Sequence, residues 1–313
     1  MTLSTLDALA SLLSPWALAL LGLLVGSFLN VVVHRLPLML ERQWWGDVAG
    51  QLGDGASYQR VFSAVAPAGL GDTAKALESS LATLPALGLS QPPSRCPSCG
   101  QRIRWLENIP VLSWLLLRRR CSSCRVPIGW RYPFIELLTA ALFAGIGWRF
   151  GATLVALLWC AMAALTLALA AIDWDTTLLP DALTMPLLWG GLIAAALGWL
   201  PTLALADSLW GAAAGYLSLW SVYWLFKVVT GKEGMGYGDF KLLAALGAWL
   251  GWQALLPVVL MASAIGALVG LAMKASGSLR EGRYVPFGPF LAGGGLFVLL
   301  AGVPRVLGWI GWA

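Results

Sequence analysis

The sequence predicts an all-α integral membrane protein, with about eight transmembrane helices and one large loop domain between the first two. Two observations predict it. The chain has 313 residues, of which 59% are hydrophobic and only 11% charged, and its mean hydropathy is +0.77. Apolar runs of about 20 residues recur, the length that crosses a bilayer core. A soluble helical core would show polar faces at helical spacing, and these runs have almost none.

Eight spans are expected, at residues 15–33, 133–148, 152–172, 182–200, 208–229, 240–256, 257–273 and 288–303. The expected domains are a first transmembrane helix (1–33), a loop domain (34–132) and a seven-helix membrane domain (133–313). The first span has no basic stretch before it and Arg35 after it, unlike a removable signal peptide. With the N-terminus outside, the basic residues fall on one face. Twelve lie between Arg35 and Arg131. Lys227, Lys232 and Lys241 follow, then Lys274, Arg280 and Arg283, which leaves only Arg149 and Arg305 outside. That bias predicts a cytoplasmic loop domain. The net charge of +5 is therefore a topology signal, and no nucleic-acid partner is expected. Many of the 18 tryptophans stand near span ends, as in an interfacial belt.

Within the loop domain, Cys96-Pro-Ser-Cys99 and Cys121-Ser-Ser-Cys124 form a paired CxxC motif. Two such knuckles supply the four thiolates of a closed tetrahedral zinc site. In a cytoplasmic loop thiols stay reduced, so disulfides are not expected. The reading is a zinc-ribbon-like module with structural zinc; a redox dithiol or free thiols are the alternatives. Residues 38–93 read mainly as a connector. Asp72 is expected to cap a short helix running to Leu84. Cys160 reads as a small packing residue of the third span.

Two acidic segments carry chemistry. Ile172-Asp173-Trp174-Asp175, followed by Pro180-Asp181, ends the third span. Gly234-Met235-Gly236-Tyr237-Gly238-Asp239-Phe240-Lys241 opens the sixth. On the predicted topology, Asp173 and Asp239 share one depth at the cytoplasmic face. Carboxylates at membrane depth are expensive and usually functional. Two together can share a proton and activate water. Gly234, Gly236 and Gly238 permit positive φ and close backbone approach around Asp239. His34 is the only histidine, which leaves a Ser-His-Asp machine with no evident nucleophile motif. Asp207 falls on the external side.

These motifs together resemble the bacterial prepilin peptidases, GxGD-type aspartyl proteases that process type IV prepilins and type II secretion pseudopilins. Gly26-Ser-Phe-Leu-Asn-Val-Val-Val-His-Arg-Leu-Pro37 is similar to the family's N-terminal signature. The double CxxC resembles its cytoplasmic domain, with Glu107-Asn-Ile-Pro-Val-Leu-Ser-Trp114 inside it and Arg131-Tyr-Pro-Phe-Ile-Glu136 after it. The resemblance runs from about residue 16 to 290. It implies cleavage, after a glycine, of a short basic leader preceding the pilin's apolar helix. It implies catalytic roles for Asp173 and Asp239, with Gly234, Gly236, Gly238 and Lys241 as the supporting loop. It implies a multi-pass protein of the bacterial inner membrane, its N-terminus periplasmic and its site facing the cytoplasm. It also implies that the new N-terminus is methylated with S-adenosylmethionine. One departure bears on that second activity. Arg118-Arg119-Arg120 stands where the family commonly has a glycine before the third cysteine, so a peptidase without methyltransferase activity is the alternative. A transporter with acidic ion-path residues is a rival of another class; it predicts midplane acids and repeated halves, and no repeat is evident. An inactive zinc-ribbon scaffold is a third.

Overall fold

The computed structural model describes residues 13–277 and 285–312. Arg280 and Arg283, part of the charge argument above, lie outside them. Among the described residues the protein is all-helical, with no strand beyond two isolated bridges, Arg95 to Arg102 and Arg120 to Pro127.

Twelve helices are described: α1 (Pro15–Gly53), α2 (Gly55–Phe62), α3 (Leu70–Ala82), α4 (Leu112–Leu116), α5 (Arg131–Phe150), α6 (Leu154–Thr176), α7 (Asp181–Ala196), α8 (Leu205–Thr230), α9 (Tyr237–Leu250), α10 (Leu255–Ala275), α11 (Gly288–Ala301) and α12 (Val303–Trp309). Contacts divide the described chain into two compact units. The first helix as far as Leu29, Pro110–Leu112 and the described residues from Gly129 onward form a membrane unit. Asn30–Ile109 and Ser113–Ile128 form a loop unit.

Every expected span falls on a helix, but among the described residues not all eight are long and apolar enough to count as crossings by length and composition. Five helices are long and apolar enough: α1, α5, α6, α8, and α10 with the 3₁₀ turn before it. A sixth appears only if α11 and α12, bent by 104°, count as one span. α7 has 16 residues and α9 has 14. The apolar runs were longer than the helices because Gly198 and Gly251, both at positive φ, end α7 and α9 early.

In the membrane unit α9 is central. It packs against α8, α7 and α11, and eleven of its 14 residues are buried. Its contact with α8 is backbone on backbone. A Cβ on Gly211 would collide with the Gly247 carbonyl, and one on Gly215 would lie 2.7 Å from the Leu243 oxygen. Small residues allow this approach where no hydrophobic force separates helix from lipid. Trp249 of α9 fills the side toward α7. Its Nε1 donates to the Leu187 oxygen at 2.7 Å, against Gly191.

The loop unit corrects two expectations. Residues 38–53 continue the first helix instead of beginning a connector, and Pro37 is accommodated inside it. Arg35 and Arg42 on that helix donate to the carbonyls of Gly88 and Pro85, at 2.9 and 2.8 Å. Asp72 does not cap α3. The helix starts at Leu70 and its cap position is Gly69, three residues before Asp72. Asp72 then sits in the first turn, where the helix dipole favours a negative charge.

Candidate functional site

Asp173 lies in the last turn of α6. Thr177 ends that helix in the left-handed conformation, φ 55°, and its N–H donates to the Asp173 carbonyl at 2.8 Å. The Asp173 side chain is buried, 5% exposed. The N–H of Gly288, at the start of α11, donates to its carboxylate. Its Oδ2 is buried with no hydrogen-bond partner among the described residues, a situation that costs about 1–3 kcal/mol. A Cβ on Gly288 would press into that oxygen.

Asp239 lies in the first turn of α9, 7% exposed. Gly236 caps the helix in an extended conformation, and the Asp239 N–H donates to its carbonyl at 3.3 Å. Two of the expected glycines serve by close approach. A Cβ on Gly238 would sit 2.7 Å from the Leu179 Cβ, and one on Gly234 would sit 2.9 Å from the Phe226 ring. Gly236 has open space around it. None of the three is at positive φ, so that part of the expectation is corrected. The need is for absent side chains, because α9 begins against the α6–α7 connection. Leu179 of that connection also lies beside Gly288. In this way α6, α9 and α11 bring Asp173 and Asp239 close enough to interact electrostatically.

The neighbouring acids are spoken for. Asp175 pairs with Arg131 at 2.5 Å. Asp181 accepts two hydrogen bonds from Lys241 Nζ, at 2.7 and 2.8 Å. Lys241, expected in the supporting loop, therefore ties the start of α7 to the start of α9. Asp207 accepts from Trp252 at the other end of α8. Sequence reasoning missed Gly288 as a partner of Asp173. Its signal was Gly288-Pro289 opening an apolar run, a common helix start. It also missed Glu233, which pairs with Lys227 at 2.9 Å across the turn leading into the glycine loop. Lys227 holds the Glu233 carboxyl below its usual range.

The cysteine cluster is built from two matching turns. Cys96 N–H donates to the Gln101 carbonyl, and Gly100 N–H donates to the Cys96 carbonyl. Cys121 N–H donates to Val126 and Arg125 N–H to Cys121 in the same pattern. Gly100 and Arg125, each just after the second cysteine of its pair, are both left-handed, φ 69° and 61°. The four sulfurs lie within 4.8 Å of one another, and Cys96 to Cys124 is 3.8 Å. A tetrahedron with metal–sulfur arms of about 2.3 Å has edges of about 3.8 Å, so the donor set fits zinc. Hydrogen bonds from the N–H groups of Cys99 and Ser98 bring the Cys96 thiol down to about 6, toward the thiolate that binds metal. Against a hydrogen bond from Val126, desolvation and the neighbouring cysteines push Cys124 up to about 11. Before the third cysteine, Arg118 and Arg119 are left-handed, φ 50° and 62°. That conformation is natural for glycine and strained for arginine.

Two family models match the chain. Residues 20–150 match the Bacterial Peptidase A24 N-terminal domain, and residues 160–271 match the Type IV leader peptidase family. Three curated relatives share the name prepilin leader peptidase/N-methyltransferase. The one from Stutzerimonas stutzeri is 48% identical over 287 residues, covering 90% of this chain and 89% of its own. The Pseudomonas aeruginosa relative is 49% identical over 287 residues, with the same coverage. The Aeromonas hydrophila relative is 47% identical over 298 residues and covers 92% of each. No solved structure matches.

Proposed function

The chain belongs to the prepilin leader peptidase/N-methyltransferase family, and on that premise we propose that Asp173 and Asp239 are its catalytic pair. The reading is a membrane aspartyl endopeptidase that removes the leader of type IV prepilins and pseudopilins. The same enzyme then methylates the new N-terminus with S-adenosylmethionine, for which no residue is assigned here. The observation that carries it is the division of the acids. Asp173 and Asp239 are buried and interact, while Asp175 and Asp181 are ion-paired.

The chemistry follows from that pair. Two close carboxylates cannot both ionise easily, so they share a proton. The ionised one takes a proton from water as the water attacks the scissile carbonyl. The protonated one donates to the carbonyl oxygen. General acid–base help of this kind contributes about 10²–10⁴-fold. The unpartnered Asp173 oxygen is free to hold the water or the substrate oxygen. The pilin's apolar segment lies in the bilayer against the helices, and its basic leader reaches the acids from the cytoplasm. Both acids stand at helix ends, which favours this reading over a midplane ion path. The basic bias supports an inner-membrane orientation with the site facing inward.

Cys96, Cys99, Cys121 and Cys124 would hold zinc. Four protein ligands complete its tetrahedron, so the metal supplies folding free energy to the loop unit and leaves no position for water.

The test is incubation of the purified protein with a prepilin, followed by mass measurement of the product's N-terminus. Leader removal plus one methyl group is expected. Leader removal alone would favour a peptidase without methyl transfer, the alternative raised by Arg119. An intact prepilin in the presence of S-adenosylmethionine would sink the proposal.

A further inference from the structure

At the end of the membrane unit opposite Asp173 and Asp239 there is an open cavity of ≈ 610 Å³, lined by Gly145, Trp148, Arg149, Phe150, Leu300 and Arg305. Its place follows from the helices that form it. α11 runs from Gly288, bonded to Asp173, to its last turn at Leu300. α5 runs from Arg131, paired with Asp175, to Phe150. Arg149 and Arg305 are also the two basic residues that the sequence sets apart from the other eighteen.

Each guanidinium is fixed at one point. Arg149 Nη1 donates to the Leu300 carbonyl at 2.9 Å, and its guanidinium lies 5.3 Å from the centre of the Phe150 ring. Arg305 Nη1 donates to the Ala301 carbonyl at 3.2 Å. Gly302, at φ 98°, makes room for this; a Cβ there would lie 2.6 Å from Arg149 Nη2. A guanidinium has five N–H donors, so most remain for another acceptor. The two cations are close enough to repel, and both are exposed. Among the described residues neither has a carboxylate partner; the ion pairs there use Arg131, Lys227 and Lys241. Capping the carbonyls of α11 needs one arginine, not two sharing a cavity. Trp148 and Trp16, 64% and 72% exposed, meet edge to face at 5.7 Å beside it. Exposed tryptophans at helix ends mark headgroup level.

We propose that this cavity binds a phosphodiester, that of an anionic phospholipid headgroup, gripped by Arg149 and Arg305. Phosphate oxygens match the planar fork of arginine. An anion between the two guanidiniums removes their repulsion. Trp148 and Phe150 face the glycerol and upper acyl carbons.

The experiment uses the whole protein, delipidated in neutral detergent and titrated separately with phosphatidylglycerol, phosphatidylcholine and inorganic phosphate. Retained lipid is counted by native mass spectrometry. One saturable phosphatidylglycerol site is expected, and Arg305→Gln should weaken it about tenfold, the size of one lost charge-assisted contact. Arg305→Lys should restore part of it. Thermal unfolding and prepilin cleavage of both variants should match the parent, which separates lost binding from lost folding. Equal binding of phosphatidylcholine, or undiminished phosphatidylglycerol binding by Arg305→Gln, would overturn the site. Saturation by inorganic phosphate with no preference for the lipid would overturn the lipid assignment.

Discussion

Asp239 stands on α9, packed backbone to backbone on α8 through Gly211, Gly215 and Gly247, and Asp173 stands on α6, packed against α11. Cys96, Cys99, Cys121 and Cys124 stand on two turns, and only Cys96 of the four is buried. In the first region close helix packing holds a carboxylate oxygen that has no partner. That arrangement carries its own cost in the absence of any ligand. In the second region three of the four cysteines are not buried, and each turn is closed by two backbone hydrogen bonds. There a metal held by the four sulfurs would supply folding free energy. A rigid scaffold tolerates an unsatisfied reactive group, whereas a thin one would be organised by the metal it holds.

The comparison breaks most visibly at the acids. Asp173→Asn and Asp239→Asn should each lower prepilin cleavage by at least about 10²-fold, since an amide cannot take the proton. Yield and thermal unfolding should hold, because the helix packing is untouched. Asp175→Asn and Asp181→Asn each lose one partly exposed ion pair, about 0–1 kcal/mol, and should keep most activity. Equal inactivation by Asp181→Asn would put Lys241 and Asp181 inside the chemistry and erase the division of acids.

The next largest effect belongs to the cysteines. Cys99→Ser should lower bound metal well below the about one zinc per chain expected of the parent, and expose residues 94–128 to protease. Folded protein should retain some cleavage. Metal-free protein that is fully active and protease-resistant would remove the ligand from the comparison.

The smallest effect concerns Arg119. Glycine at a left-handed position relieves about 1–2 kcal/mol of strain, so Arg119→Gly should raise protease resistance of the loop unit modestly. Cleavage should be unchanged. If the family's glycine matters for the second activity, the methylated fraction of product should rise. Lower protease resistance would show instead that the Arg119 contact with the Trp114 ring, 5.6 Å from its centre, outweighs the strain.

What was legible in the sequence was chemical. The apolar runs, the CxxC pairs and the two acidic motifs pointed to the membrane class, the four cysteines, and Asp173 and Asp239, but not to Gly288 or Glu233. What was not legible depended on partners far along the chain. Arg131 and Lys241 stood in motifs with no partner named for either, yet they sort Asp175 and Asp181 from the buried pair. Gly238 looked like a flexible turn residue and is a gap for Leu179. The first span was expected to end at residue 33, where the apolar run meets His34 and Arg35, while the helix carries on through Pro37 to Gly53.

Two short helices of the membrane unit, α7 and α9, have a consequence for the lipid around them. At 1.5 Å per residue α7 and α9 are about 24 and 21 Å long, against a hydrocarbon slab of about 30 Å. Hydrophobic mismatch of that size is met by local thinning of the bilayer. Both helices begin at the acid end, with Asp181 and Asp239 in their first turns. A thinned patch there lowers the headgroup layer toward the carboxylates, so that water and a basic leader reach them without an aqueous channel. The bilayer's thickness then becomes part of the enzyme, and longer acyl chains should slow the reaction by drawing that patch away.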